Sequence, residues 1–303
     1  MLDDMFYWIF NMSIAAFICM LPIFALRFIK KIPRRVFVWL WLIPFVRMCI
    51  PVGISGKYGI MALIDKFTAK TVTIYEIGDF SNLGMMNYVM AAKDYFPIEY
   101  RVSALKKLFE IASVIWIIVA ILLIIIWAIA YVFVLEEVKD AEILRENIYI
   151  SDKAKIPAVY GIIKPKIIIP AAYCDIELNY ILMHERAHIR RKDNLIRILA
   201  LILVCVHWFN PFSWLLFKYF CTDIELACDE AVLSKCSDEE YKKYAYALLN
   251  ASEKTNILAA SFGGAKIRRR IENVLSYKNL SLFSSFAFFA MIISIAYFLL
   301  TNA

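Results

Sequence analysis

Long uncharged runs separated by charged connectors dominate the pattern of this chain. Met5 to Leu26 is 22 residues without a charge, Ile111 to Leu135 is 25, and Ser281 to Leu300 is 20. Each reaches the length of about 20 apolar residues that a helix needs to cross roughly 30 Å of hydrocarbon. A fourth run, Val36 to Ile54, carries Pro44, Arg47 and Pro51; it is counted as a span because the chain needs a return path after the first helix. Between the third and last runs, residues 136–280 are mostly polar and form a domain. There Ala158 to Ala171, AVYGIIKPKIIIPA, is rich in β-branched residues and bounded by prolines, which predicts a short strand or hairpin with Pro165 near the bend. Asp175 to Asn194 predicts a helix, acidic in its first turn and basic in its last, as the macrodipole favours.

Composition agrees with a membrane protein. Apolar residues make up 62% of the 303 positions and charged ones 20%, against about 25% charged in soluble domains; the mean hydropathy is +0.65. Aromatics at 15%, with only 8 Gly and 9 Pro, exclude disordered and collagen-like chains. The net charge of +7 is read as cytoplasmic loops beside anionic lipid, so no direct nucleic-acid binding is expected. Arg27, Lys30, Lys31, Arg34 and Arg35 follow the first run, which places that connector in the cytoplasm and the N-terminus outside. Residues 55–107 then lie outside and 136–280 inside. Lys266, Arg268, Arg269, Arg270 and Lys278 precede the last run, so it exits outward and the C-terminus is also outside. Asp3 and Asp4 stand where a signal peptide would be basic, and the first run is therefore expected to be retained. Seven cysteines, with none in 55–107 and no C-x-x-C pair, suit a reducing compartment and indicate neither a disulfide framework nor a cysteine-based zinc site. The expected organisation is a membrane region at 1–135, a cytoplasmic domain at 136–280 and a C-terminal transmembrane helix at 281–303.

The chemistry is concentrated in His184-Glu185-Arg186-Ala187-His188, an H-E-x-x-H motif inside the predicted helix. Residues four apart share a helical face, so both imidazoles converge on one point, and Glu185 can reach water held there. A catalytic zinc site takes three protein ligands and keeps one position open. Downstream, Glu225 and Asp229 in CTDIELACDEAVL are again four apart. The longer Glu225 is assigned as the third ligand and Asp229 as the partner that orients a ligating histidine, although spacing alone leaves the reverse open. Zinc acidifies water to a pKa of about 7 and polarises a carbonyl, while Glu185 takes the water proton and delivers it to the leaving amine. Peptide-bond hydrolysis is the expected reaction, with the strand near Ile167 to Ile169 offering its edge to an extended substrate. His207, alone in an apolar run, is read as a packed or hydrogen-bonded residue.

Ile198 to Phe217 has 20 uncharged residues and by length alone would be a further span. A straight crossing would leave Glu225 on the far side of the bilayer from His184. The run is therefore expected to break at Asn210-Pro211, as a hairpin over about 195–232, with one helix to about Phe209 and a second from Phe212 through Val232.

Taken together, three long apolar helices, GIIKPKIIIP, HERAHIRRKD, an apolar run with NPF, then ELACDEAVL and a last helix resemble the BlaR/MecR family of membrane zinc metallopeptidases. The resemblance covers essentially the whole chain. It implies a mainly α, polytopic membrane protein with four transmembrane helices and a cytoplasmic gluzincin-like zinc metalloprotease domain containing a small β-sheet. It further implies His184, His188 and Glu225 as ligands of Zn2+, Glu185 as the catalytic carboxylate and Asp229 as a supporting partner. In the family the peptidase is an antirepressor, inactivating a BlaI/MecI-like DNA-binding repressor of β-lactam-resistance genes, with autoproteolysis, and its members associate as homodimers in the cell membrane. Full-length receptors continue into an extracellular penicillin-binding domain, whereas this sequence ends at Ala303. Ser103-Ala-Leu-Lys106 matches S-x-x-K but lacks K-T-G and S-D-N, and is read as coincidence. In the linker LAASFGGAKIRRR, Ser261 to Phe262 is the candidate self-cleavage bond. Two other functions fit the motifs: a housekeeping membrane protease of the CaaX or heat-shock type, and a non-catalytic adaptor stabilised by zinc.

Overall fold

A computed structural model describes residues 1–29, 31–50, 54–55, 103–154, 156–171, 175–253, 267–278 and 281–302. Its helices are α1 (Leu2–Leu26), α2 (Arg34–Cys49), α3 (Ser103–Glu137), α4 (Asp175–Arg191), α5 (Asp193–Val206), α6 (Pro211–Leu233), α7 (Asp238–Glu253), the short α8 (267–275) and α9 (Leu282–Leu300). The strands are β1 (Ile54–Ser55), β2 (Glu142–Arg145), β3 (Ile148–Ser151), β4 (Ala158–Tyr160), β5 (Lys166–Pro170) and β6 (Thr301–Asn302). The candidate self-cleavage bond Ser261–Phe262 lies outside the described residues.

Among the described residues, three helices are long and apolar enough to cross a membrane, within Leu2–Leu26, Lys107–Glu137 and Phe283–Leu300. The expected fourth span is shorter: α2 has 16 residues, about 24 Å at 1.5 Å per residue. It is also closely packed inside the membrane region. Phe37, Leu40 and Trp41 are fully buried against Ile23 of α1 and against Leu216, Phe220 and Ile224 of α6, with α9 packed alongside. A parallel pairing of β1 with β6 brings the chain after α2 beside the end of α9.

The run Ile198 to Phe217 is a helical hairpin. α5 ends at Val206, three residues before the sequence suggested, and α6 starts at Pro211. Asn210 caps α6, its side chain accepting from the Phe212 amide at 3.0 Å, with Pro211 in the position where a missing N–H costs nothing. The same side chain donates to Ser13 Oγ of α1 at 2.7 Å. Trp116 of α3 donates to the Val206 carbonyl at 2.7 Å, and Phe6, Tyr7 and Phe109 pack around Trp208 and Phe209. The turn is thereby seated among α1 and α3 with several of its backbone groups paired, as an apolar setting favours.

In the domain, β2-β3-β5-β4 form a mixed sheet, β3 pairing with β5 in parallel and the other neighbours antiparallel. Ile167 and Ile169 face Leu178, Leu182 and Ile189 of α4, while Ile168 faces Val138 and Ala154 on the other side. Burial on both faces explains why this strand reads as an unbroken apolar run. Between β4 and β5, Gly161 has φ +88°, and a Cβ there would meet the Lys164 carbonyl at 2.9 Å, so the bend requires glycine. The strand carrying Ile167 to Ile169 is interior, paired on both sides. The edges of the sheet belong to β2 and β4, a correction that follows from sheet order.

The helix expected over Asp175 to Asn194 is two helices. Lys192 adopts the left-handed conformation, φ 55° and ψ 37°, ending α4 and redirecting the chain into α5. α6 in turn is held against the first two helices. Arg27, at the end of α1, donates to the fully buried Asp223 through Nε at 2.9 Å and Nη2 at 3.0 Å, and Trp41 Nε1 donates to the same carboxylate at 2.7 Å. Leaving such a buried charge unpaired costs about 3–5 kcal/mol. Replacing Asn210 with Ala removes the α6 cap and the bond to Ser13 and should cost about 1–2 kcal/mol, read as an apparent Tm lowered by a few degrees in detergent.

Candidate metal centre

The helix α4 carries His184, Glu185 and His188, and α6 carries Glu225 and Asp229; the two helices pack so that these five side chains meet below the sheet in one buried place. His184 Nε2 lies 3.1 Å from His188 Nε2. Glu225 Oε2 stands 3.6 Å from the first and 3.8 Å from the second. Donors about 2.0–2.1 Å from a tetrahedral metal sit roughly 3.3–3.4 Å apart, so this triangle has the size of one face of such a coordination shell. The residues present fit a metal ion.

Hydrogen bonds on the far side of each ring fix which nitrogen faces inward. His188 Nδ1 is 2.7 Å from Asp193 Oδ2. His184 Nδ1 is 2.9 Å from the Tyr244 hydroxyl, which donates to Asp229 Oδ1 at 2.7 Å; that oxygen is itself 3.2 Å from Nδ1. With both Nδ1 atoms engaged as donors, both Nε2 atoms are left with lone pairs toward the centre, the arrangement that orients metal-binding histidines. Glu225 is held similarly: Arg197 Nη2 donates to Oε1 at 2.6 Å, leaving Oε2 toward the imidazoles. Arg270, from α8, forms a double bond of charge with Asp229 at 2.8 and 2.6 Å and comes within 3.7 Å of Glu225 Oε2 and 3.2 Å of His184 Nε2.

Electrostatics point the same way. Burial opposes charge on His188, yet its bonds to Asp193 and Cys228 raise its pKa to about 9. For His184 burial is likewise overcome, by Tyr244, Cys228 and Asp229, and the pKa rises well above the ordinary value. The pocket thus favours positive charge at the two imidazoles. Despite burial, His184, Arg197 and Arg270 hold Glu225 well below the usual carboxylate range, and Arg270 with His184 holds Asp229 down at about 2. Glu185 differs: burial pushes its pKa up, against the nearby imidazoles. A carboxylate so placed binds a proton more readily than an exposed one. Burial raises the pKa of Tyr160 on the edge strand β4, with smaller contributions from Glu137 and Glu185, and β4 packs against α4.

Several contributors were not legible in the sequence. A continuous helix would point position 193 about 140° away from His188, and the break at Lys192 turns Asp193 back toward it. Tyr244, Arg197 and Arg270 come from α7, α5 and α8, and no local spacing announces them. Cys228 is fully buried one residue before Asp229, its thiol donating to the His184 carbonyl at 3.3 Å. With His184 and His188 it forms a further group with ligand atoms all within 4.8 Å of one another. His207 lies outside the site, buried, with Nε2 3.3 Å from the Met48 carbonyl.

A site of this construction invites comparison with known membrane peptidases. The chain is 34% identical over 137 residues to "Regulatory protein BlaR1" of Bacillus licheniformis, which covers 42% of this chain and 23% of that protein. It is 26% identical over 149 residues to "Methicillin resistance mecR1 protein" of Staphylococcus aureus, 45% of this chain and 26% of the relative. A "Regulatory protein BlaR1" of Staphylococcus aureus matches at 29% over 143 residues, 43% and 24%. The matched parts therefore span about a quarter of the relatives' own length. The family described as BlaR1 peptidase M56 matches from residue 7 to residue 274, a stretch that takes in both α4 and α6 with all five side chains of the buried cluster. On that match, the chain belongs to the BlaR1 peptidase M56 family.

Proposed function

We propose that this protein is a membrane zinc endopeptidase of a β-lactam-resistance signalling system, in which His184, His188 and Glu225 hold the metal and Glu185 is the proton carrier. The observation that carries the reading is the convergence of two Nε2 atoms and one carboxylate oxygen at 3.1 to 3.8 Å, beside a buried carboxylate with a raised pKa. Two imidazoles and a carboxylate suit zinc, and when bound it supplies Lewis acidity toward water and toward a substrate carbonyl. Glu185 accepts a proton from the attacking water and returns it to the departing amine, so its proton affinity is matched to both halves of the cycle. Asp193, Tyr244 and Asp229 orient the imidazoles. Arg197 and Arg270 hold the acidic cluster against its own repulsion. The edge of β4 receives the substrate in extended form, since it packs against α4, the helix that carries Glu185, and has a neighbouring strand on one side only.

The relatives are named as a regulatory protein and a methicillin-resistance protein, which supports a signalling role; the substrate in this reading is the BlaI/MecI-like repressor that the family resemblance implies, and the linker bond Ser261–Phe262 is a self-processing site. The domain 136–280 faces the cytoplasm and both termini lie outside. This orientation is supported by the basic connector Arg27 to Arg35 and by β1 pairing with β6, which sets the end of α2 and the end of α9 on one side. The protein works as a homodimer in the bacterial cell membrane.

Replacing Glu185 with Gln should leave about one zinc per chain by elemental assay while abolishing cleavage of the repressor, followed by mass spectrometry of the fragments; unchanged cleavage would remove Glu185 from its role. Asp193→Asn should weaken metal binding by about 10- to 100-fold, measured by competition with a chromophoric chelator. Because the ion-free protein binds protons on His184 and His188, metal entry must displace them. Affinity should therefore rise with pH through neutrality and keep rising past about 9, the value to which His188 is raised, because His184 is also held well above its ordinary value, with proton release visible in a weakly buffered titration.

A further inference from the structure

Two positions of α6 that bracket the site, Asp223 and Glu230, are tied to the membrane region rather than to the peptidase domain. Asp223 and Glu230 are seven residues apart and share one face of α6; Glu225 and Asp229 are four apart and share the opposite face, about 200° round from Asp223. Asp223, at 0% exposure, receives Arg27 from the end of α1 and Trp41 from α2. The Arg27 guanidinium also lies 4.6 Å over the Tyr219 ring, one turn earlier on α6. Glu230 accepts from the Arg34 amide at 2.8 Å and the Arg35 amide at 3.2 Å. Those are the first two amides of α2, whose own N-cap residue, Pro33, supplies no side-chain cap. A distant carboxylate thus caps α2, satisfying donors that helices leave open and sitting at the positive end of its dipole.

We propose that Asp223 and Glu230 are positioning residues for Glu225, and that through them the α1–α2 hairpin sets the metal affinity of the site. The inference rests on the metal-centre reading above and adds its regulation by the membrane helices. Asp223 precedes Glu225 by two residues and Glu230 follows Asp229 by one, so the clamp fixes the turns of α6 that carry the site. With side chains reaching about 5–6 Å from a helix axis, a rotation of about 20° carries a carboxylate about 2 Å, the length of a metal–ligand bond. A displacement of that size between α1–α2 and α6 separates Glu225 from the two imidazoles, while the imidazoles themselves, anchored by Asp193 and Tyr244, stay in place. The hairpin is therefore the element through which a change in the bilayer reaches the site.

The test uses the full chain in detergent micelles, stripped of metal and titrated with Co2+, reading both affinity and visible ligand-field absorption. Asp223→Asn and Glu230→Gln should each weaken Co2+ binding by about tenfold or more and alter the absorption band, with a smaller loss in Trp41→Phe. Ile167→Val, in the sheet core and away from the clamp, should lower the Tm but leave affinity and spectrum unchanged. Should Asp223→Asn not fold, Glu230→Gln, which keeps volume, and Trp41→Phe, which removes the Nε1 donor to Asp223, carry the same reading. Wild-type binding with equal affinity and spectrum in these variants, whatever their Tm, overturns the proposal and leaves the metal centre standing. A wild-type chain that takes up no Co2+ overturns the metal centre itself.

Discussion

Carboxylates taken out of water have to be matched by positive charge, and this requirement organises the middle of the molecule. Glu185, Glu225, Asp229 and Asp193 gather in a space of a few ångströms with two imidazoles between them. Arg197 and Arg270 offset part of the charge, and the imidazoles are drawn toward protonation to offset more. The same imbalance is what makes the pocket receptive to a cation at the point where both Nε2 atoms and Glu225 Oε2 converge. Every element around the site contributes to this balance: α4 the motif, α5 Asp193 and Arg197, α6 the acidic pair, α7 Tyr244 and α8 Arg270. Loss of Arg197 or Arg270 leaves buried carboxylates facing others of their own sign.

The apolar surroundings raise the stakes of each polar contact. The turn between α5 and α6 sits among aromatic rings from α1 and α3, and its carbonyls and amides are met by Trp116, Asn210 and Ser13. An unpaired group there has no water to fall back on. The hairpin lets an uncharged run of 20 residues remain on one side of the molecule and brings the acidic half of α6 back to the motif helix. One continuous chain of packing then joins α2, α6 and α4. The residues that line it alternate in role along α6, with one face turned to α1 and α2 and the other to the site.

What the sequence determined by itself is local. A period of 3.6 residues brings His184 over His188 and Glu225 over Asp229 whatever else the chain does, so these pairs could be read without coordinates. Runs of about 20 uncharged residues identify apolar helices for the same reason, since length and hydropathy are properties of a segment alone. The Asn210-Pro211 break is equally local, because proline removes a donor and asparagine caps the helix that follows.

What only the tertiary structure decided is everything that depends on direction in space. The left-handed turn at Lys192 depends on a single dihedral and swings Asp193 onto His188. Sheet order, which strand composition does not reveal, makes β2 and β4 rather than the Ile167 to Ile169 strand the edges. α2 has the composition of a span, and only the fold shows that its 16 residues are enclosed by α1, α6 and α9. Tyr244, Arg197 and Arg270 reach the site from helices separated from the motif by as many as 86 positions, and the bond between Arg27 and Asp223 closes over 196. No periodicity encodes contacts at such separations; they exist because buried charges must be paired, and only the folded chain determines which partners are within reach.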